Sequence, residues 1–187
     1  IRDRLDVGNG ADFDNGEIDA GEHGIDGVTV ELYRDTDGNG SYSSGTDVMV
    51  DSVTTSSGGH YTFTDLISDT YVVHLPAANF APGAALASRF SSSDATAGVG
   101  DDPDDNGDSD DNGIDPASLV DYLTSGISSE AITLLYNTEP DGTPAVDGDA
   151  DDNTNWTVDF GFLPVTDYGD LPDGYHTLDA SGGAVHF

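Results

Sequence analysis

The chain has 187 residues, enough for one substantial domain with a real core but short for two. Its 37 acidic residues against 4 basic ones give a formal charge of -33, which repels nucleic acid and anionic membrane surfaces and makes cations the natural partners. It has no cysteine, so disulfides and thiolate metal sites are excluded, and it has no run of roughly 18 apolar residues that could cross a membrane.

Of the acids, 32 are Asp and only five are Glu (Glu17, Glu22, Glu31, Glu130, Glu139). A generic solubilising surface uses both, whereas short carboxylates suit tight metal-binding loops. A salt-adapted acidic surface stays open as a second source of the charge. The basic residues are all Arg (Arg2, Arg4, Arg34, Arg89), so the chain contains no lysine. Ile1 is neither a translation start nor the head of a signal peptide, which predicts a fragment or a processed product.

In chain order, the first candidate site is the loop from Asp12 to Glu22. Asp12, Asp14 and Asp19 surround a turn, and Glu22 closes it with a carboxylate able to bind through both oxygens; the alternative is a plain acidic turn. Alternating apolar residues from Val28 to Tyr33 then predict a strand. The strongest signal follows, from Asp35 to Asp47. Asp35, Asp37 and Asn39 stand at positions 1, 3 and 5 of an EF-hand-like loop, Gly40 at the tight turn of position 6, and Ser41 at position 7, where a backbone carbonyl serves as ligand. The closing acid is Asp47 at position 13 rather than Glu at position 12, and strand patterns flank the loop, so it reads as a calcium loop joining two β-strands.

Further strands are predicted at Asp47 to Val53, Tyr61 to Phe63 and Tyr71 to Leu75. Residues 91–115 form a long acidic insertion, too poor in apolar residues to order itself and therefore expected to be held by something, metal ions being the obvious candidate. A short helix is predicted over Pro116 to Leu123, with Asp115 as N-cap and Leu119, Val120 and Leu123 inward. Strands follow at Ala131 to Tyr136 and Trp156 to Phe162, the latter with Trp156, Val158, Phe160 and Phe162 on one face. Six or seven short strands suggest a sandwich. A third calcium candidate joins the stretch around Asp108, Asp110 and Asp111 to the one around Asp147, Asp149 and Asp151, because two segments so dense in carboxylate repel unless counter-ions lie between them. A solvated acidic flap is the alternative.

Catalytic signals are weak. The five His show no metal-ligand spacing, no nucleophile elbow or phosphate-cradling loop is present, and abundant Asp makes any carboxylate pair uninformative. No catalytic residue and no organic cofactor is assigned, and no enzyme activity is expected. The Tyr and Phe residues lie mostly at strand positions where packing accounts for them better than a sugar-stacking platform does.

From Gly27 onward the residues resemble the SdrD B-like domains of bacterial surface proteins, relatives of the Cna B-type sandwiches. The resemblance rests on Gly27 to Arg34, the loop at 35–47, Gly59 to Leu66, Asp69 to Val73 and Asn155 to Phe162, with Asp19 to Glu22 and Gly24 to Gly27 matching that family's lead-in segment. It covers roughly residues 12–163. It implies a calcium-stabilised, immunoglobulin-like sandwich, stacked in stalks that hold an adhesive region away from a cell. Cna B-type relatives often carry a Lys to Asn isopeptide bond, which a chain without lysine cannot form. Asp167 to Thr177 and Gly182 to His186 resemble the opening of GEVED-type modules, and Arg2 to Asp14 resembles the continuation of one, as in a tandem period cut within a module.

The expected architecture is therefore all-β: an immunoglobulin-like (Cna B-type) antiparallel β-sandwich with long acidic calcium-binding loops. It would span 12–163 between junction segments 1–11 and 164–187. The expected function is a structural calcium-binding repeat or subunit of an extracellular bacterial fibre, stalk or adhesin, holding two or more Ca²⁺. Its partners would be copies of itself, joined head to tail through residues 1–11 and 164–187, without nucleic acid or membrane insertion, and with a host or environmental surface ligand as a possible addition. The alternative is an adhesin module binding a carbohydrate or protein.

Overall fold

The computed structural model describes residues 2–3, 23–92, 102–105, 111–114, 119–140 and 153–164. The strands, in chain order, are β1 (Arg2–Asp3), β2 (His23–Gly24), β3 (Thr29–Arg34), β4 (Val48–Thr54), β5 (Thr70–Leu75), β6 (Arg89–Ser91), β7 (Ile127–Ser128), β8 (Ile132–Thr133) and β9 (Phe162–Pro164). A 3-10 turn, Ala77–Phe80, follows β5, and one short helix, α1 (Leu119–Ser125), precedes β7.

The β-branched and aromatic run TVELYR makes β3 a good strand former, and it lies inside the main sheet, whose order is β4-β3-β5-β7 with β8 also on β5. Pairing throughout this sheet is antiparallel. Val30 and Leu32 point into the core while Glu31 and Tyr33 lie on the opposite face, the period of two that the alternation predicts. In β5 both faces are covered: Tyr71, Val73 and Leu75 pack inward, and Val72 and His74 are buried on the outer face. The β3–β4 ladder slips between Leu32 and Tyr33, whose partners are Asp51 and Met49, leaving Val50 as a bulge.

Opposite this sheet, Phe80 and Leu86, Tyr122 of α1, and Phe160 and Phe162 near the C-terminal end of the described chain close one continuous core with Val28, Val30, Leu32, Tyr71, Val73 and Leu75. Phe80 sits 5.5 Å from Tyr122 and 6.1 Å from Phe162, ring to ring. Each such side chain fully removed from water contributes roughly 1.5 to 3 kcal/mol. The β6–β9 pair lies on this side, and Asn79 ties the 3-10 turn to β3, accepting from Thr29 N–H at 2.9 Å and donating to its carbonyl at 2.8 Å. The result is an all-β, antiparallel, immunoglobulin-like sandwich.

Several local expectations change. Tyr61 to Phe63 is not a strand: its side chains alternate in and out, but its backbone joins no ladder. Ala131 to Tyr136 shrinks to β8, with Leu135 and Tyr136 turned to solvent. In the segment from Trp156 to Phe162 only the last residue is in a strand, and Trp156 is 37% exposed while Phe160 and Phe162 are buried. The helix lies at 119–125 and turns Tyr122 inward and Leu123 outward, because its roughly two turns have to present a ring to Phe80. Its expected cap, Asp115, and Pro116 lie outside the described residues.

Candidate metal centre

The loop between β3 and β4 is built by its own short acids. Gly38 and Gly40 N–H donate to the two oxygens of Asp35 at 2.8 and 3.0 Å, and Asn39 N–H donates to Asp37 Oδ1 at 3.1 Å. Ser41 N–H donates to Asn39 Oδ1 at 2.8 Å, and the Asn39 amide donates to Asp37 Oδ2 and to Ser43 Oγ. These bonds need the chain to curl tightly, and Gly38 and Gly40 supply it with φ of 68° and 78°. The far end is drawn back by Asp47, which accepts from Thr36 N–H at 3.0 Å and from Ser43 N–H at 2.7 Å, while Thr36 Oγ1 donates to the Thr46 carbonyl.

The outcome is that Asp35, Asp37 and Asp47 each bring a carboxylate oxygen within 4.8 Å of the others. Oxygens bound to one Ca²⁺ at roughly 2.3 to 2.6 Å from the ion lie no more than about 5 Å apart, so the three oxygens fit one coordination sphere. Two unit charges about 4 Å apart near a protein surface repel by about 4 kcal/mol, so this convergence favours a cation. Burial pushes the Asp35 carboxyl upward, but the N–H groups of Gly40, Gly38 and Asn39 and the contact with Asp37 outweigh it and hold it below the usual carboxylate range. The group is therefore ionised and ready for a metal at neutral pH. Asp47 is buried, Asp35 half-buried and Asp37 exposed, so the cluster opens to solvent on the Asp37 side.

One loop residue reaches into the fold. Tyr42 stacks on His74 of β5 at 4.0 Å between ring centroids and lies 4.7 Å from Tyr33 of β3. His74 is buried, its Nδ1 is hydrogen-bonded to Ser128 Oγ at 2.8 Å, and burial holds its pKa down to about 4 against a backbone contact at Ile127. The outer face of β5 is thus roofed by the loop that gathers the three acids. Burial, with Tyr42 and Glu31 alongside, raises the Tyr33 phenol, whose hydroxyl donates to Glu31 Oε2 at 2.9 Å. At the end of β3, Arg34 forms an ion pair with Asp69 at 2.9 Å.

Of the other sequence-predicted ligands, Asp12, Asp14, Asp19, Glu22, Asp108, Asp110, Asp147, Asp149 and Asp151 lie outside the described residues. Asp111 is described and almost wholly buried, with Ser92 Oγ donating to its Oδ2 at 2.8 Å and Gly113 N–H to its Oδ1 at 2.9 Å. Next to it, Asn112 and Asp159 exchange hydrogen bonds, 3.0 Å from Asn112 N–H to the Asp159 carbonyl and 2.7 Å in return. The described end of the acidic insertion is therefore fastened to the sandwich by hydrogen bonds. The insertion also meets the segment after the second acidic stretch, where Asn155 donates to the Pro103 carbonyl at 2.8 Å. Desolvation raises Asp104, which takes Thr133 N–H on its carboxylate, and raises Glu139, which takes Leu135 N–H and feels the Asp104 charge.

Sequence reasoning missed Asp26. Its Oδ1 accepts from both Gly58 and Gly59 N–H at 2.8 Å, and those two bonds hold the carboxyl below its ordinary value. The Gly-Gly pair, with φ of 93° and 89°, aims two successive amides at one oxygen. That dipeptide was the available signal, but its partner lies more than 30 residues upstream. The roofing contact of Tyr42 on His74 was equally invisible, because it depends on how the loop folds over the sheet.

Comparison with known proteins finds one family: the sequence model of the SdrD B-like domain matches residues 10–132, roughly two thirds of the chain. No curated protein and no solved structure matches.

Proposed function

Since this chain belongs to the SdrD B-like domain family, a domain associated with bacterial surface adhesins, we propose that it is a structural calcium-binding repeat or subunit of an extracellular fibre, stalk or adhesin, joined head to tail to copies of itself. The observation that carries this reading is the convergence of Asp35, Asp37 and Asp47 in a loop whose turn glycines and carboxylate–amide bonds already hold them together. A calcium ion there takes the three carboxylates, with Asn39 Oδ1 and the Ser41 carbonyl as the remaining protein ligands of the sequence pattern. It cancels repulsion between them and fixes the loop that carries Tyr42 onto His74.

Stiffness is the proposed output. Ions that bind the folded loop and scarcely the unfolded chain add RT ln(1 + [Ca²⁺]/Kd), about 2.7 kcal/mol per site at one hundred times Kd. Extracellular calcium suits weak sites of this module class, with Kd of roughly 10⁻⁴ to 10⁻³ M. Further ions at Asp12, Asp14, Asp19 and Glu22, and between the stretches holding Asp108, Asp110 and Asp111 and Asp147, Asp149 and Asp151, belong to the same proposal. So does association through residues 1–11 and 164–187. Calorimetric titration with CaCl₂ tests the metal: saturable heat in the sub-millimolar to millimolar range is expected, and its absence would remove the reading. Sedimentation in calcium tests the joining, with concentration-dependent association expected of the full chain and lost when either junction segment is deleted.

A further inference from the structure

Four of the eight large apolar side chains that the described surface leaves exposed, Ile67, Leu135, Tyr136 and Trp156, line one groove of about 630 Å³. None of the three clustered metal-loop acids, Asp35, Asp37 and Asp47, borders it. Along one wall runs Tyr61 to Thr64. Tyr61 and Phe63 are half-buried, Thr62 and Thr64 exposed, the pattern of a strand with one face on the core, until Asp65 turns the chain with φ of 59°. The backbone N–H and C=O groups of Thr62, Phe63 and Thr64 nevertheless pair with nothing among the described residues. An extended segment with unpaired backbone beside an apolar groove is a template for one more strand.

The polar groups of the facing wall argue for a peptide over a sugar. Asn153 is doubly paired with Asn137, and Asn155 donates to the Pro103 carbonyl while its Oδ1 accepts from Thr157. A saccharide on the aromatic rings needs free side-chain donors and acceptors, and these amides are engaged. Besides hydroxyls such as those of Thr62, Ser68 and Thr154, what the groove leaves free among the described residues is a contiguous stretch of backbone, which a peptide strand can pair with along its length. Charge then selects among peptides: the described lining contains Asp65 and Asp159 and no Arg, in a lysine-free chain of net charge -33. A second copy brings the same sign of charge, whereas a basic partner gains from the field of the whole molecule.

We infer that this groove takes an extended, apolar and basic peptide segment of another protein, added as a strand along Tyr61 to Thr64 with alternate apolar side chains seated against Trp156 and Tyr136. The test is amide NMR of the full chain in millimolar calcium, titrated with a short peptide in which valine and threonine alternate between paired lysines. Shifts concentrated on Thr62, Phe63, Thr64 and the Trp156 indole are expected. Methylating alternate backbone nitrogens of the peptide should weaken binding about tenfold or more, from the loss of several hydrogen bonds, and glutamate in place of the lysines should weaken it further. Absent shifts at these residues, or equal binding of the methylated peptide, would overturn the inference. The same shifts produced by maltohexaose would assign the groove to sugars, and the same shifts on concentrating the protein alone would assign it to a second copy; either result also overturns it.

Discussion

Asp37 is the exposed member of the acidic cluster, and its two oxygens accept from the backbone and side-chain amides of Asn39. Replacing Asp37 with Asn removes one charge and little packing, so calcium affinity should fall on the order of tenfold. The melting temperature in chelator should not fall below that of the parent, because losing one of three converging charges relieves their repulsion when no ion is bound. Calorimetry and a thermal melt of the variant check both halves. His74 makes a different claim, about pH. Its folded pKa lies near 4, below the roughly 6.5 of the unfolded chain, so the folded state prefers the neutral ring. Its stabilising effect is fully present above about pH 6.5 and is lost as pH falls toward 4, by roughly 3 kcal/mol in total. Urea unfolding in chelator between pH 7 and 4 should show that loss, and His74→Gln should lack it. The carboxyls of Asp35 and Asp26, held below their usual range, lose their contributions at still lower pH.

Among the elements, β4 is an edge of the main sheet as the described residues form it, paired among them with β3 alone, and Val48, Met49 and Val50 are all open to solvent. Such an edge invites pairing with another chain. Asp51 stands at the middle of this seven-residue strand, so antiparallel pairing of two copies about that point would set like charges face to face. Asp51→Val should therefore promote self-association, seen by sedimentation as dimers or larger species at concentrations where the parent is unchanged. The strands β3, β4 and β5 were legible to within a residue, because β-branched and aromatic runs between Gly and Asp turns leave little choice. The acid loop was legible for the same reason, since ligand spacing and turn glycine are both local. Tyr61 to Phe63 and Trp156 to Phe162 were not, because alternation reports which side chains are buried and says nothing of a ladder partner. The helix face was misread at Leu123, since a helix of seven residues is oriented by what it packs against and not by its own period. Asp26 and Tyr42 find their partners only in three dimensions.

For the whole molecule, the question is what balances a charge of -33. In one account calcium does so at defined loops, Asp35, Asp37 and Asp47 first, and turns a self-repelling chain into a stiff unit of a stalk. In the other, the acids are a solvated surface suited to high salt, and sodium serves as well as calcium. The two differ in ion specificity, which a single experiment reads. That experiment is thermal unfolding of the chain in millimolar calcium and in excess EGTA at constant ionic strength. A large drop in melting temperature in EGTA, restored by calcium and not by added sodium, is the predicted result. An unchanged melt, or equal rescue by sodium, would contradict the calcium-stiffened repeat and leave the acidic loops as surface.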